Sequence, residues 1–312
     1  MSGTGGHFSC PVCAGPLLSR HTLVAAPDSS QSFAVLGCAA CGHGVTITPE
    51  PARSTAHGGN YGMNRHAFTD GWCARRRARW VQRFTHTGAP RRVLDIGCGD
   101  GAFLRVIQCA GWQVAGTECA QRAAALEQLN VGTSLDDAAA HAPFGAITLW
   151  HSLEHLDDPV GLLCECRALL HPAGALFVAV PDARSLAART FGRHWLHLDV
   201  PRHRHHFSPT SLLQTLRAAG FTARDTLGPE FEYEWLGWSQ SALDAAGLPQ
   251  RAFFDALRGA PRGGGAAARL LHLAVGSAAS MLMLLPAAYS ALAPSHCHLV
   301  CMAGDDAAPR AP

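Results

Sequence analysis

The chain has 312 residues, room for about two domains. Hydrophobic residues make up 48% and charged residues 15%, which argues against wholesale disorder, and a formal charge of +2 gives no electrostatic case for nucleic acid. All 25 basic residues are arginine, which excludes a Schiff-base lysine and a phosphate-loop lysine.

Twelve cysteines in so long a chain do not make a disulfide scaffold. The opening residues show no basic stretch followed by an apolar one, so the expectation is a cytoplasmic protein with reduced thiols. The first pattern is Cys10-Pro-Val-Cys13 followed by Cys38-Ala-Ala-Cys41, with 24 residues between the pairs. Two such knuckles can complete one tetrahedral thiolate site, and a closed four-thiolate site is structural, not catalytic. Leu17–Val24 and Ser32–Leu36 between them read as short strands, so residues 1–55 are expected to form a zinc ribbon holding structural Zn2+.

Residues 56–90 read as a helical linker, with Ala74–Phe84 as its helix. Arg75, Arg76, Arg77 and Arg79 form an arginine-rich face expected to be solvated, with an anionic substrate or partner as the alternative. Strand and helix patterns then alternate: RVLDI at Arg92–Ile96, a helix over Gly101–Ala110, a strand at Trp112–Thr117 and a helix over Ala120–Leu129. A strand at Phe144–Trp150, a helix over Pro159–Leu170 and a strand at Ala175–Val180 continue the series. This order implies an α/β fold with a doubly wound, mostly parallel sheet. Ser208 or Thr210 caps a further helix, and Gly220-Phe221 leads into another strand. The expected organisation is a core over 91–228, a helical insert or cap over 229–294, a last strand at 295–303 and a disordered tail at 304–312.

The strongest motif is Asp95-Ile-Gly97-Cys98-Gly99-Asp100-Gly101, where a strand turns into a helix. Glycines there let a ligand approach the backbone, and the helix start offers unpaired N–H groups. Glu118 closes the next strand, 23 residues after Asp95, where a carboxylate can take both hydroxyls of a ribose. The spacing Gly97-x-Gly99-x-x-Ala102 also fits a loose dinucleotide fingerprint. A carboxylate at Asp95, however, repels a pyrophosphate and attracts the cationic amino-acid part of S-adenosylmethionine (SAM).

On these residues the sequence resembles the class I SAM-dependent methyltransferases, with a Rossmann-like core. The resemblance extends through Leu149-Trp-His151-Ser-Leu-Glu154-His155-Leu-Asp-Asp-Pro159, then Trp195 to His203, then His206-Phe-Ser208 and Gly220-Phe221. It covers roughly Arg91–Leu227, and the four-cysteine segment is similar to that of a subgroup that includes sugar methyltransferases. It implies transfer of a methyl group to a small-molecule or carrier-linked acceptor: a sugar, a phenol or quinone, or a polyketide. It also implies cofactor contacts from Asp95, Gly97, Cys98, Gly99, Gly101, Glu118, His151 and the stretch Ser134-Leu135-Asp136. Candidates for acceptor chemistry are His151, Glu154, His155 and His203. At spacing i, i+3, i+4, the first three would share one face of a helical turn. They could orient the loop, supply a base, or hold a divalent metal that activates a catechol-like acceptor. Two other classes stay open: a zinc-ribbon binding protein with a relic Rossmann domain, and a nicotinamide enzyme.

Leu270–Leu292 contains no Asp, Glu, Lys or Arg. Pro286 and the need for the last strand to rejoin the sheet favour a buried or dimer-forming helical insert. The alternative is a membrane-associated hairpin serving a lipid-linked acceptor.

Overall fold

The computed structural model describes residues 8–26, 31–48, 69–259, 265–292 and 297–303. The tail at 304–312, residues 49–55 of the expected ribbon and residues 56–68 of the linker lie outside them.

Seven strands form the main sheet: β4 (Arg92–Ile96), β5 (Gln113–Thr117), β6 (Val131–Gly132), β7 (Phe144–Trp150), β8 (Leu170–Ala179), β10 (Phe221–Thr226) and β11 (His298–Ala303). Their order is β10-β11-β8-β7-β4-β5-β6. β8, β7, β4, β5 and β6 run parallel, and β11 lies antiparallel between β10 and β8. Every residue of β7 is buried, as expected for a central strand covered on both faces. The fold is therefore the mixed α/β, mostly parallel sheet that the alternating pattern implied.

Two apolar layers cover the sheet. On one side Leu163 and Cys166 of α5 (Pro159–Leu169) and Leu212 and Leu216 of α7 (Pro209–Ala218) pack on Leu94, Ile147 and Leu149. On the other, Ala74, Ala78 and Val81 of α1 (Asp70–Phe84) pack with Phe103, Leu104 and Ile107 of α2 (Ala102–Cys109). So α1 is a wall of the sheet domain, and its arginine face is only partly solvated. Arg75 and Arg79 are exposed, but Arg77 is buried and Arg76 nearly so. A second expectation also changes. Ala120–Leu129 is a four-residue helix, α3 (Ala120–Ala123), followed by a 3₁₀ run broken at Leu126, whose φ is −124°.

A second sheet has the order β1-β2-β3-β9, formed by β1 (Leu17–Ala25), β2 (Ser32–Cys38), β3 (Gly44–Ile47) and β9 (His205–His206). Its fourth strand comes from the core domain, so the cysteine segment is fused to that domain through residues 205–206. Cys10 Sγ lies 3.6 Å from Cys41 Sγ, and Cys13 Sγ 3.5 Å from Cys38 Sγ.

Between β10 and β11 the chain forms α8 (Phe231–Ala245), α9 (Ala252–Leu257), α10 (Gly265–Leu282) and α11 (Leu284–Leu292). The apolar stretch is not a buried insert. Of the 18 residues of α10 only Gly276 and Ser280 are buried, and of α11 only Ala287. The small residues pack inward because only they allow close approach: a Cβ on Gly276 would lie 1.9 Å from Phe253 Cδ2. The large apolar side chains remain outside.

Candidate functional site

The glycine loop joins β4 to α2 at the carboxyl edge of the sheet, where open α/β sheets bind ligands. Gly97, Gly99 and Gly101 have φ of +72°, +63° and +75°, the left-handed region that glycine enters without steric cost. A Cβ on Gly97 would also lie 2.9 Å from Ser152 Cβ. Glu118 ties the loop to β5: Gly99 N–H donates to Oε2 at 2.8 Å and Cys119 N–H to Oε1 at 3.1 Å. Each carboxylate oxygen keeps lone-pair capacity for a ribose hydroxyl. Asp95 is buried and accepts from Thr148 Oγ1 at 2.6 Å. The Cys98 thiol is pushed up by burial and by the nearby Asp95 and Glu118, so it is a small neutral group.

These features fit a bound SAM. A carboxylate pair flanks the loop, and the buried Ser152 Oγ beside Gly97 has no hydrogen-bond partner among the described residues. Ser134 caps α4 (Leu135–Ala139) in a reciprocal box with Asp137. Leu135 turns its side chain into the core, which leaves that residue only its backbone to offer; Ser134 and Asp136 are exposed.

The structure separates the second set of candidates. His151 is not on a helical turn with Glu154 and His155. It follows β7 with φ +55°, and a single 3₁₀ turn, Leu153–His155, comes after it. The positive φ sends the two parts into different clusters. His151 meets Glu230 and His298, while Glu154 and His155 meet His203.

In the first cluster His151 Nε2 is 2.8 Å from Glu230 Oε2. Burial alone would raise the Glu230 carboxyl, but Arg77 and His151 hold it well below the usual carboxylate range. An ionised Glu230 only accepts, so His151 donates from Nε2 and keeps its lone pair on Nδ1. Arg77 Nε and Nη2 each lie 2.9 Å from Glu230, and Arg76 Nη2 lies 2.8 Å away. The ring of Tyr233 stacks on His151 at 4.6 Å. Burial pushes His151 down to about 3 against the upward pull of Glu230.

In the second cluster His203 donates Nδ1–H to the His197 carbonyl at 2.7 Å, and His155 donates Nδ1–H to the Arg202 carbonyl at 3.0 Å. Both rings therefore carry their lone pair on Nε2. His203 Nε2 and His151 Nδ1 each stand 3.9 Å from Glu154 Oε1, so Glu154 lies between the clusters. Burial holds His203 well below the ordinary imidazole range. Burial would raise Asp199, but Arg251 and Arg202 at 2.6 and 2.7 Å hold it far down. These groups line a small cleft, open to solvent and closed on one side by Tyr233 and Leu236 of α8 and by Phe254 of α9.

The cysteine segment supports this loop. Thr46 N–H donates to the Arg204 carbonyl at 2.9 Å, Thr46 Oγ1 donates to the His203 carbonyl at 2.7 Å, and Arg204 N–H donates to the Glu154 carbonyl at 2.9 Å. Trp195 and Trp238 pack in a core between the segment and α8, and Trp195 also borders a smaller pocket beside His151.

Sequence reasoning missed Glu230, Tyr233, His197 and His298. Glu230 precedes the aromatic run Phe231–Trp238 and was legible only as a helix-start acid. Nothing local linked it to arginines 153 and 154 positions away.

His151, His197, His203, His206 and His298 are all shifted below the ordinary value, chiefly by burial, with His197 at about 4. The unfolded chain takes up protons at these groups below about pH 6.5, and the folded chain does not. Their contribution to stability is therefore full above pH 6.5 and falls as the pH drops towards the folded values, by up to about 1.4 kcal/mol per pH unit for each imidazole. The unfolding free energy measured from pH 7.5 to 5 should fall on the acid side by more than about 1.4 kcal/mol per pH unit, the slope of one proton per chain. A flat profile would contradict the buried neutral state.

The profile of a methyltransferase domain family matches residues 63–226, more than half the chain. The ubiquinone biosynthesis O-methyltransferase of Xanthomonas euvesicatoria pv. vesicatoria (strain 85-10) is 32% identical over 164 residues, covering 46% of this chain and 68% of that protein. The protein of the same name from Cereibacter sphaeroides (strain KD131 / KCTC 12085) is 30% identical over 170 residues, covering 49% and 69%. The match thus spans about two thirds of each relative. Among solved structures, a SAM-dependent methyltransferase from Archaeoglobus fulgidus is 24% identical, covers 52% of this chain and 76% of its own, and has a TM-score of 0.40. The chain belongs to the methyltransferase domain family and is a class I SAM-dependent methyltransferase.

Proposed function

We propose that the protein methylates a hydroxyl oxygen of a small phenolic acceptor bound in the cleft beneath α8. The observation that carries this reading is the convergence of His151 Nδ1 and His203 Nε2 on Glu154 Oε1, each at 3.9 Å, near the glycine loop. A hydroxyl seated beside Glu154 Oε1 would lie within hydrogen-bond reach of that oxygen and of a flanking imidazole nitrogen. The names of the relatives support oxygen as the acceptor atom. SAM supplies a methyl group already activated on a sulfonium, so the protein's work is mainly to position the acceptor and receive its proton. Gly97, Gly99 and Glu118 would hold the cofactor, and Asp95 would face its ammonium group. Glu154 and His203 would orient the hydroxyl, with its proton passing to one of them.

Glu118→Ala should weaken SAM binding about 10- to 100-fold, the loss expected for hydrogen bonds to a charged group. Calorimetric titration checks this. Wild-type affinity in the variant would remove Glu118 from the cofactor site.

One observation favours a second reading of the same cleft. Burial holds His151 and His203 far below the ordinary imidazole range, and a ring so depressed is a poor base towards a phenol at about 10. A neutral ring whose second nitrogen is tied to a carbonyl is, by contrast, a good metal ligand, and both His155 and His203 have that form beside Glu154. A divalent cation there would make the acceptor hydroxyl more acidic. Transfer of labelled methyl to catechol should fall 10²- to 10⁴-fold in His203→Asn while SAM affinity is retained. Activity lost in EDTA and restored by Mg2+ or Zn2+ selects the cation reading. Transfer to sugars but not to phenols would overturn the acceptor class.

We also propose that Cys10, Cys13, Cys38 and Cys41 hold a structural zinc ion. Sulfurs at 2.3 Å from a tetrahedral ion lie about 3.8 Å apart, close to the 3.5 and 3.6 Å seen, and a disulfide would need about 2 Å. Metal analysis of the purified chain should give one zinc per chain, lost in Cys41→Ser. A metal-free wild-type chain that melts at the same temperature would refute the assignment.

A further inference from the structure

We propose that the α9 side of the cleft recognises a carboxylate on the acceptor, so that the substrate is a phenol bearing an acidic side group. This deepens the phenolic reading above and rests on it. The residues that carry it stand on one face of a helix. Arg251, Phe254 and Arg258 are spaced i, i+3, i+7 along α9, and all three line the cleft. Both arginines are buried, at 5% and 8% exposure. Their guanidinium groups lie 4.9 and 5.1 Å from the centre of the Phe254 ring, which steadies two cations at the cleft wall.

The hydrogen bonding of these arginines points to an anion. Arg251 Nη1 lies 2.6 Å from Asp199 Oδ1, while the buried Arg251 Nε has no hydrogen-bond partner among the described residues. A buried N–H left unmet costs free energy, which an oxygen of a bound ligand removes. The acids of the cleft are engaged elsewhere. Asp199 is shared by Arg251 and Arg202, at 2.6 and 2.7 Å, and Glu154 stands between His151 and His203. Asp255, the acid of α9, does not line the cleft. The planar fork of a guanidinium suits a carboxylate, which accepts two parallel hydrogen bonds.

Charge also changes sign across Tyr233. That residue, His151 and His197 border both the cleft and the smaller pocket beside His151. Among the described residues, the smaller pocket is lined by Asp182, Glu230 and Glu234 and by no arginine, whereas Arg251 and Arg258 line the cleft. A negative group is repelled on one side and attracted on the other, so an acidic acceptor has one favoured orientation. The arginines are held on a fixed backbone. Arg251 N–H donates to Asp244 Oδ1 at 3.0 Å and Phe254 N–H to Gln240 Oε1 at 2.8 Å, which ties α9 to α8.

Calorimetric titration of the full chain loaded with S-adenosylhomocysteine tests this with three catechols of similar length: 3,4-dihydroxyphenylacetate, 4-ethylcatechol and dopamine. The acid should bind about tenfold or more tightly than the neutral compound, the gain expected for hydrogen bonds to a charged group, and the amine should bind least. Arg258→Gln should lower the ratio of acid to neutral affinity about tenfold, and Arg258→Lys, which keeps the charge, should recover part of it. Melting temperature and SAM affinity of each variant report on its fold. A wild type that binds the acid no better than 4-ethylcatechol overturns the proposal. So does a folded Arg258→Gln variant with the wild-type ratio. Inorganic phosphate that displaces the acid at equal concentration would assign the arginines to a phosphate instead and overturn the carboxylate. Transfer of labelled methyl to the same compounds keeps the two readings apart. An acid bound through Arg258 but never methylated leaves the anion site standing and sinks the phenolic reading, whereas methylation of 4-ethylcatechol with no preference for the acid does the reverse.

Discussion

A single buried carboxylate holds the architecture of the site together. Glu230 starts α8, accepts from Arg76 and Arg77 of α1, and accepts from His151 at the end of β7. Three segments distant in sequence meet on its two oxygens. A charge so deep is costly to desolvate, and only the paired guanidinium groups and the imidazole make it tolerable. Removing one partner from such a cluster costs about 3–5 kcal/mol, because the remaining charge stays buried. The strength of the cluster is therefore also its specificity: α8 has one register in which Glu230 is satisfied.

That register sets the cleft. With Glu230 fixed, Tyr233 stacks on His151 and Leu236 faces the cleft one turn further on. His151 is forced to donate from Nε2 and to present Nδ1 towards Glu154. From the opposite side, the cysteine segment fixes the other half. Thr46 bonds to residues 203 and 204, and the Arg204 amide bonds to Glu154. The two halves of the cleft are thus anchored to different parts of the chain and meet at one carboxylate, Glu154. The cofactor loop needs neither anchor, since its geometry comes from β4, β5 and three glycines.

The exposed face of the last two helices follows from the same economy of contacts. Its helices adhere to α8 and α9 through glycine, serine and alanine, which permit close approach but bury little apolar area. The large side chains left outside then need another environment.

How much could be read in advance follows the range of the interactions. The glycine loop, Glu118, the paired cysteines and the alternation of strands and helices are local: a few neighbouring residues specify a turn, a knuckle or a periodicity. His203 was legible only through family resemblance, because nothing in its own loop shows which side chain faces a ligand. The helical-turn expectation for His151, Glu154 and His155 failed because spacing assumes a regular backbone, and His151 adopts φ +55° instead. The linker arginines looked solvated because their partner, Glu230, lies more than 150 residues away. The sequence by itself determined the sheet, the cofactor loop and the cysteine site. Tertiary structure alone decided which acid neutralises the arginines, which nitrogen each histidine offers, and which face of the last helices stays uncovered, because burial and long-range charge pairing exist only once distant segments have been brought together.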